Sequence, residues 1–86
     1  MNTNQDYSTT SFYLAAFLLT KGLDLIGIDR SDVQRSKFQF AKSPQWNRLI
    51  EAFNFAKEND PKVMVDPRKF VVTIKGLKEK LYQDRF

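Results

Sequence analysis

The sequence predicts a small α+β domain of order α-β-β-α-α, an antiparallel hairpin covered by helices. Three observations carry that expectation. The run Phe12-Tyr13-Leu14-Ala15-Ala16-Phe17-Leu18-Leu19 is apolar all round, as expected of a helix buried on more than one side. The stretch Ser36-Lys37-Phe38-Gln39-Phe40 alternates at period two, the mark of a half-buried strand. Ser43-Pro44 and Asp66-Pro67 each put a capping side chain before a proline, and each opens an amphipathic pattern.

Taken in order, residues 1–8 read as a polar lead-in, with Tyr7 anchoring its end, and residues 9–86 as a single domain. Thr9 or Thr10 is placed to cap the first helix, and Gly22 to end it in the left-handed conformation. Leu23-Asp24-Leu25-Ile26-Gly27-Ile28-Asp29 reads as the first strand. Its alternation breaks between Leu25 and Ile26, so Gly27 marks a bulge or a close approach to the backbone. Asp29-Arg30-Ser31-Asp32 is the turn, and the strand through Phe38 and Phe40 returns to complete the hairpin.

The second helix starts at Ser43-Pro44 and carries Trp46, Leu49, Ile50 and Phe53 on one face, with Phe55 almost opposite, beside Arg48. Asn59-Asp60-Pro61 ends it. Val63-Met64-Val65 is either a short extended piece at the sheet edge or a hydrophobic linker. The third helix has Phe70, Ile74, Leu77 and Leu81 as its core face. On an adjoining face lie Arg68, Val71, Lys75, Lys78 and Tyr82. Gly76 disfavours that helix by about 1 kcal/mol relative to alanine, which suggests relief of crowding against a neighbour. Gln83 to Arg85 fray at its end, and Phe86 is placed to fold back onto the core.

Composition bounds the function. The chain has 86 residues, 42% of them hydrophobic and 14% aromatic, so a small core rich in large rings is within reach. It has no cysteine and no histidine, which removes disulfides, thiolate chemistry and the usual zinc ligand sets. The polar start Met1-Asn2-Thr3-Asn4-Gln5-Asp6 lacks the charged-then-apolar order of a signal peptide, so a cytoplasmic setting is expected. The longest apolar run is too short for a membrane span. The net charge is +4, and basic residues balance acidic ones through position 61, so the excess lies in residues 62–86.

In its order of features the chain resembles the DUF5659-like group, small bacterial and phage-associated proteins described as a domain of unknown function. The resemblance rests on Thr9-Thr10-Ser11, Leu14-Ala15-Ala16 with Leu18, and Gly22 leading to Leu25. It continues through Phe38 and Phe40, Val65-Asp66-Pro67 and Leu77-Lys78. It implies the fold, a cytoplasmic setting and a mobile-element context, and it brings no catalytic residue with it.

Chemistry is not expected. Asp24, Asp29, Asp32 and Glu51 are the carboxylates to weigh, and Asp29 with Asp32 flank the turn. They lack the glycine and later glutamate of a calcium loop and read as a solvated turn. No glycine-rich phosphate loop is present, and the serines and threonines are explained as caps and turns. No enzyme activity, cofactor, metal or small-molecule substrate is therefore expected, and no membrane partner.

Two binding classes remain. The first is protein binding, assembly or self-association through Phe17, Phe55 and Val72, which point away from their helices' core faces, with Arg48 beside Phe55. Docking onto a larger phage or host complex and joining of hairpin edges across a dimer both belong here. The alternative is DNA or RNA binding. There Arg35 and Lys37 project from the second strand, Arg30 from the turn, and Arg68, Lys75, Lys78 and Tyr82 from the third helix. That alternative requires the two basic sets to share one side of the fold.

Overall fold

A computed structural model describes residues 7–32, 34–57 and 60–83. The elements are β1 (Ser8–Thr9), α1 (Phe12–Thr20), β2 (Leu25–Asp29), β3 (Lys37–Phe40), α2 (Trp46–Phe55), a 3-10 turn (Pro61–Val63) and α3 (Pro67–Gln83). The class is α+β, with the helices and the antiparallel hairpin in the expected order. The lead-in at 1–6, the stop at Asn59 and the fold-back of Phe86 lie outside the described residues.

α1 is the centre. Leu14, Ala15, Ala16, Phe17 and Leu18 are all buried, and such a run circles the helix once and more. That is why this helix has no polar face. Its cap is Ser11, one residue beyond the expected threonines: the Ser11 hydroxyl accepts from the Leu14 amide at 3.2 Å. Thr9 Oγ1 accepts instead from the Ser11 amide. The other end closes as a Schellman motif. Gly22, at φ +102°, donates its amide to Leu19, and Leu23 donates to Leu18. Leu18 and Leu23 are both buried, which supplies the apolar contact that accompanies this motif.

The sheet has three strands in the order β1-β3-β2, both pairings antiparallel. The third strand is Ser8–Thr9, paired with Gln39 and Phe38, so the lead-in reaches into the sheet. The Val63-Met64-Val65 stretch takes no part in it: Val63 closes the 3-10 turn and Met64 follows in extended backbone. β2 carries the expected bulge. Leu25 stands opposite Phe40 and Gly27 opposite Gln39, leaving Ile26 as the extra residue. The bulge resolves the broken alternation, because it lets Leu25 and Ile28 both pack toward the core while Ile26 is 69% exposed.

Phe38 and Phe40 face the helices and are buried, Phe38 against Phe12 and Phe40 against Trp46. Tyr7 completes this corner as expected, its ring 5.5 Å from that of Trp46 and its carbonyl accepting from Phe40. Leu77 of α3 enters the same core, flanked by Phe70, Ile74 and Leu81. The opposite sheet face is polar and half open, with Ser8, Gln39, Gly27, Lys37 and Asp29 on it.

α2 begins at Trp46 and not at proline, because Ser43-Pro44-Gln45 forms a turn first: Ser43 Oγ accepts from Gln45, and its carbonyl from Trp46. The helix stops at Phe55, with Ala56 already extended. Asp60-Pro61 therefore starts the 3-10 turn, where Asp60 Oδ1 accepts from the Lys62 amide. α3 opens as its sequence signals, Asp66 Oδ1 accepting from Arg68 just after Pro67. Gly76 departs from expectation: a Cβ there would meet nothing within 4 Å. No crowding requires it.

Candidate interaction surfaces

Two groups of side chains have the exposure an interaction surface needs. The first is built on α2. Trp46 and Ala52 are buried, Leu49 and Ile50 half-buried, and the Phe53 ring lies 5.2 Å from that of Phe17. Helical geometry turns Phe55 away from that face, and it is 79% exposed. Arg48 lies about two turns earlier on the same side of the helix. Together with Glu51, Ala52, Ala56, Lys57, Asp60 and Lys62 they line an open groove between α2 and the segment leading into the 3-10 turn.

Phe17 does not belong to this surface. It is 3% exposed, held between the Phe53 ring and Lys21, whose ammonium lies 5.7 Å from the ring centre. The reason is the burial of α1 on every side, so that no residue from Leu14 to Leu18 remains for a partner. Val72 is 68% exposed, on α3, and is not among the residues lining the Phe55 groove.

The second group is basic, and the structure divides it. Arg30 is committed inside the fold: its Nη2 donates to the carbonyls of Lys80 and Leu81, at 3.1 and 2.9 Å. Those are open carbonyls of the last α3 turn, where a cation also meets the negative end of the helix dipole. Arg35 and Lys37 gather with Asp29 and Asp32 around a small hollow, so their charge is partly offset. Both carboxylates fold the turn itself, Asp29 accepting from the Ser31 amide and Asp32 from that of Gln34. The Ser31 amide holds the Asp29 carboxyl below its ordinary value, helped by the Ser31 hydroxyl and by the charge of Lys37. Among the described residues no three Asp, Glu, His or Cys side chains come together as a metal site.

Arg68, Lys75 and Lys78 are exposed along α3, with Tyr82 at 51%. Val71, Lys75, Lys78 and Tyr82 fall within about 60° of helical arc. The opposite flank of α3, with Thr73, Gly76 and Lys80, borders β2 across a groove shared with Leu23, Asp24 and Leu25. The α3 stripe therefore turns away from the sheet edge, whereas Lys37 projects from the open sheet face. The two basic sets do not form one surface.

The profile of DUF5659, a domain of unknown function, matches residues 4–83. The chain belongs to this family. Comparison with curated proteins and with solved structures finds no match. The DUF5659 match spans every element from β1 to α3, so the family pattern is the pattern of the whole fold. Among the described residues no helix is long and apolar enough to cross a membrane.

Sequence reasoning missed three exposed or structural features. Tyr13 is 61% exposed although it lies in the most apolar run, and Ile26 is exposed only because of the bulge. The role of Arg30 joins residues 50 and 51 positions apart, a separation that leaves no local signal.

Proposed function

We propose that this is a small non-catalytic protein-binding or assembly domain that docks its partner on the outer face of α2, with Phe55 as the anchor. One observation carries the reading: among the described residues Phe55 is the most exposed of the large hydrophobic side chains, and it lines an open groove together with Arg48. Burying such a side chain gains roughly 1.5–3 kcal/mol, and aromatic and arginine residues dominate the energetics of interfaces. The chain contributes no histidine or cysteine, and Asp60 in the groove is engaged with the Lys62 amide. A cytoplasmic setting belongs to the same reading, since a domain without cysteine relies on packing alone.

The test is affinity enrichment from the native host lysate with wild type, Phe55→Ser and Arg48→Ala as baits. The proposal expects specific partners recovered by wild type to be depleted with both variants. Identical recoveries across the three baits would remove α2 from the account.

A further inference from the structure

The excess charge of the chain has a place in the fold. We propose that the solvent face of α3 is a second binding surface, separate from the Phe55 groove, which takes a nucleic-acid phosphate backbone without selecting bases. Arg68, Lys75 and Lys78 are exposed on this face, Lys69 and Lys80 are exposed on the flank nearer β2, and Glu79 is the exposed carboxylate among the described residues of the helix. None of these cations is held in a side-chain hydrogen bond or ion pair in the described structure, in contrast to Arg30. Uncompensated cations on one element attract a polyanion and release its counterions on binding.

Spacing favours an extended, repeating anion. Arg68 to Lys78 spans about 15 Å at the helical rise per residue. A nucleic-acid strand carries a charge about every 3.4 Å of duplex axis, so each cation along that line meets a phosphate within reach. The apolar side chains exposed on this face, Val71, Val72 and Tyr82, are interspersed with the cations and supply no single large anchor of the kind Phe55 gives to α2. An anionic membrane fits less well, because an interfacial helix inserts an apolar face. The apolar face of α3, with Phe70, Ile74, Leu77 and Leu81, is packed into the core. Lys37 and Arg35 are not needed, which removes the requirement for a shared side that the fold does not meet.

Fluorescence anisotropy tests this with labelled single-stranded DNA, single-stranded RNA and duplex DNA of about 20 nucleotides, over about 50–200 mM salt. Wild type should bind all three with little regard to sequence and weaken at least tenfold across that range. Lys75→Gln/Lys78→Gln, which keeps the helix and removes two charges, should lower the salt slope by about 1.4 on single strands, about 0.7 for each lost phosphate contact. Lys75→Glu/Lys78→Glu should lose at least a further tenfold in affinity, and Phe55→Ser should bind as wild type does. Circular dichroism confirms that each variant is folded. The proposal is overturned if no probe binds at the lowest salt, or if the glutamine variant leaves both affinity and slope unchanged. Tighter binding to phosphatidylserine vesicles or to polyglutamate than to any nucleic acid would overturn it equally.

Discussion

Arg30 donates from its guanidinium to the carbonyl of Leu81 at 2.9 Å, tying the hairpin turn to the last turn of α3. The same nitrogen reaches Lys80 O at 3.1 Å, so one side chain satisfies two helix-end acceptors. Charged hydrogen bonds of this kind contribute about 1.5–3 kcal/mol when buried, and less where partly solvated. Arg30→Ala should therefore destabilise the domain by about 1–2 kcal/mol, read by urea denaturation. Hydrogen exchange should show faster exchange in the last turn of α3 and unchanged exchange in α1. If α3 exchange stays as in wild type, the tie is not holding the helix end.

The glycines make opposed predictions. Gly76 lies inside α3 with open space where a Cβ would be, so Gly76→Ala should stabilise by about 1 kcal/mol. Gly22 sits at φ +102°, and although nothing crowds it, Gly22→Ala should destabilise by about 1–2 kcal/mol through backbone strain alone. Denaturant midpoints of the two variants should move in opposite directions from wild type. Loss of stability in Gly76→Ala would mean that the α3 surface is closer to its neighbours than described.

The two ends of the burial scale give a further contrast. Leu18 is fully buried at the centre of α1, and Leu18→Ala should cost about 2–5 kcal/mol. Phe55→Ser, at an exposed helix end, should stay within about 0.5 kcal/mol of wild type. A Phe55→Ser variant that unfolds as readily as Leu18→Ala would make Phe55 a core residue in solution.

Asp29 supplies a prediction in pH. Its carboxyl is held below the ordinary value of 3.8, chiefly by the Ser31 amide. A group lowered in the folded state stabilises the fold above its unfolded pKa, and that contribution is lost as pH falls through the folded pKa. Carboxyl-carbon NMR should place its titration below that of an unstructured peptide, and Ser31→Pro, which removes the amide, should raise it. A midpoint at or above the peptide value would contradict the hydrogen bond.

Much of the architecture was legible in the residues because it is local. Asp66-Pro67 opened α3, Gly22 closed α1, and the phase break before Gly27 reported the bulge. What escaped was set by distant contacts. Phe17 looked like an outward residue because a helix that is apolar all round does not reveal how many sides are covered. Ser8–Thr9 became a strand only because β3 offered a free edge beside it. The candidate surfaces divide the same way. Exposure of Phe55 followed from its angle to Trp46 on one helix, whereas the separation of Lys37 from Lys75 and Lys78 depends on how α3 meets the sheet.

The central claim is that Phe55 meets a partner, and site-specific photo-crosslinking tests it most directly. A benzophenone side chain is introduced at Phe55 and, as a control, at exposed Lys42, and irradiated in native host lysate. The account predicts a discrete covalent adduct to one or a few proteins from position 55, suppressed by Arg48→Ala, and none of these from position 42. No adduct at position 55, or the same adducts from both positions, would contradict it.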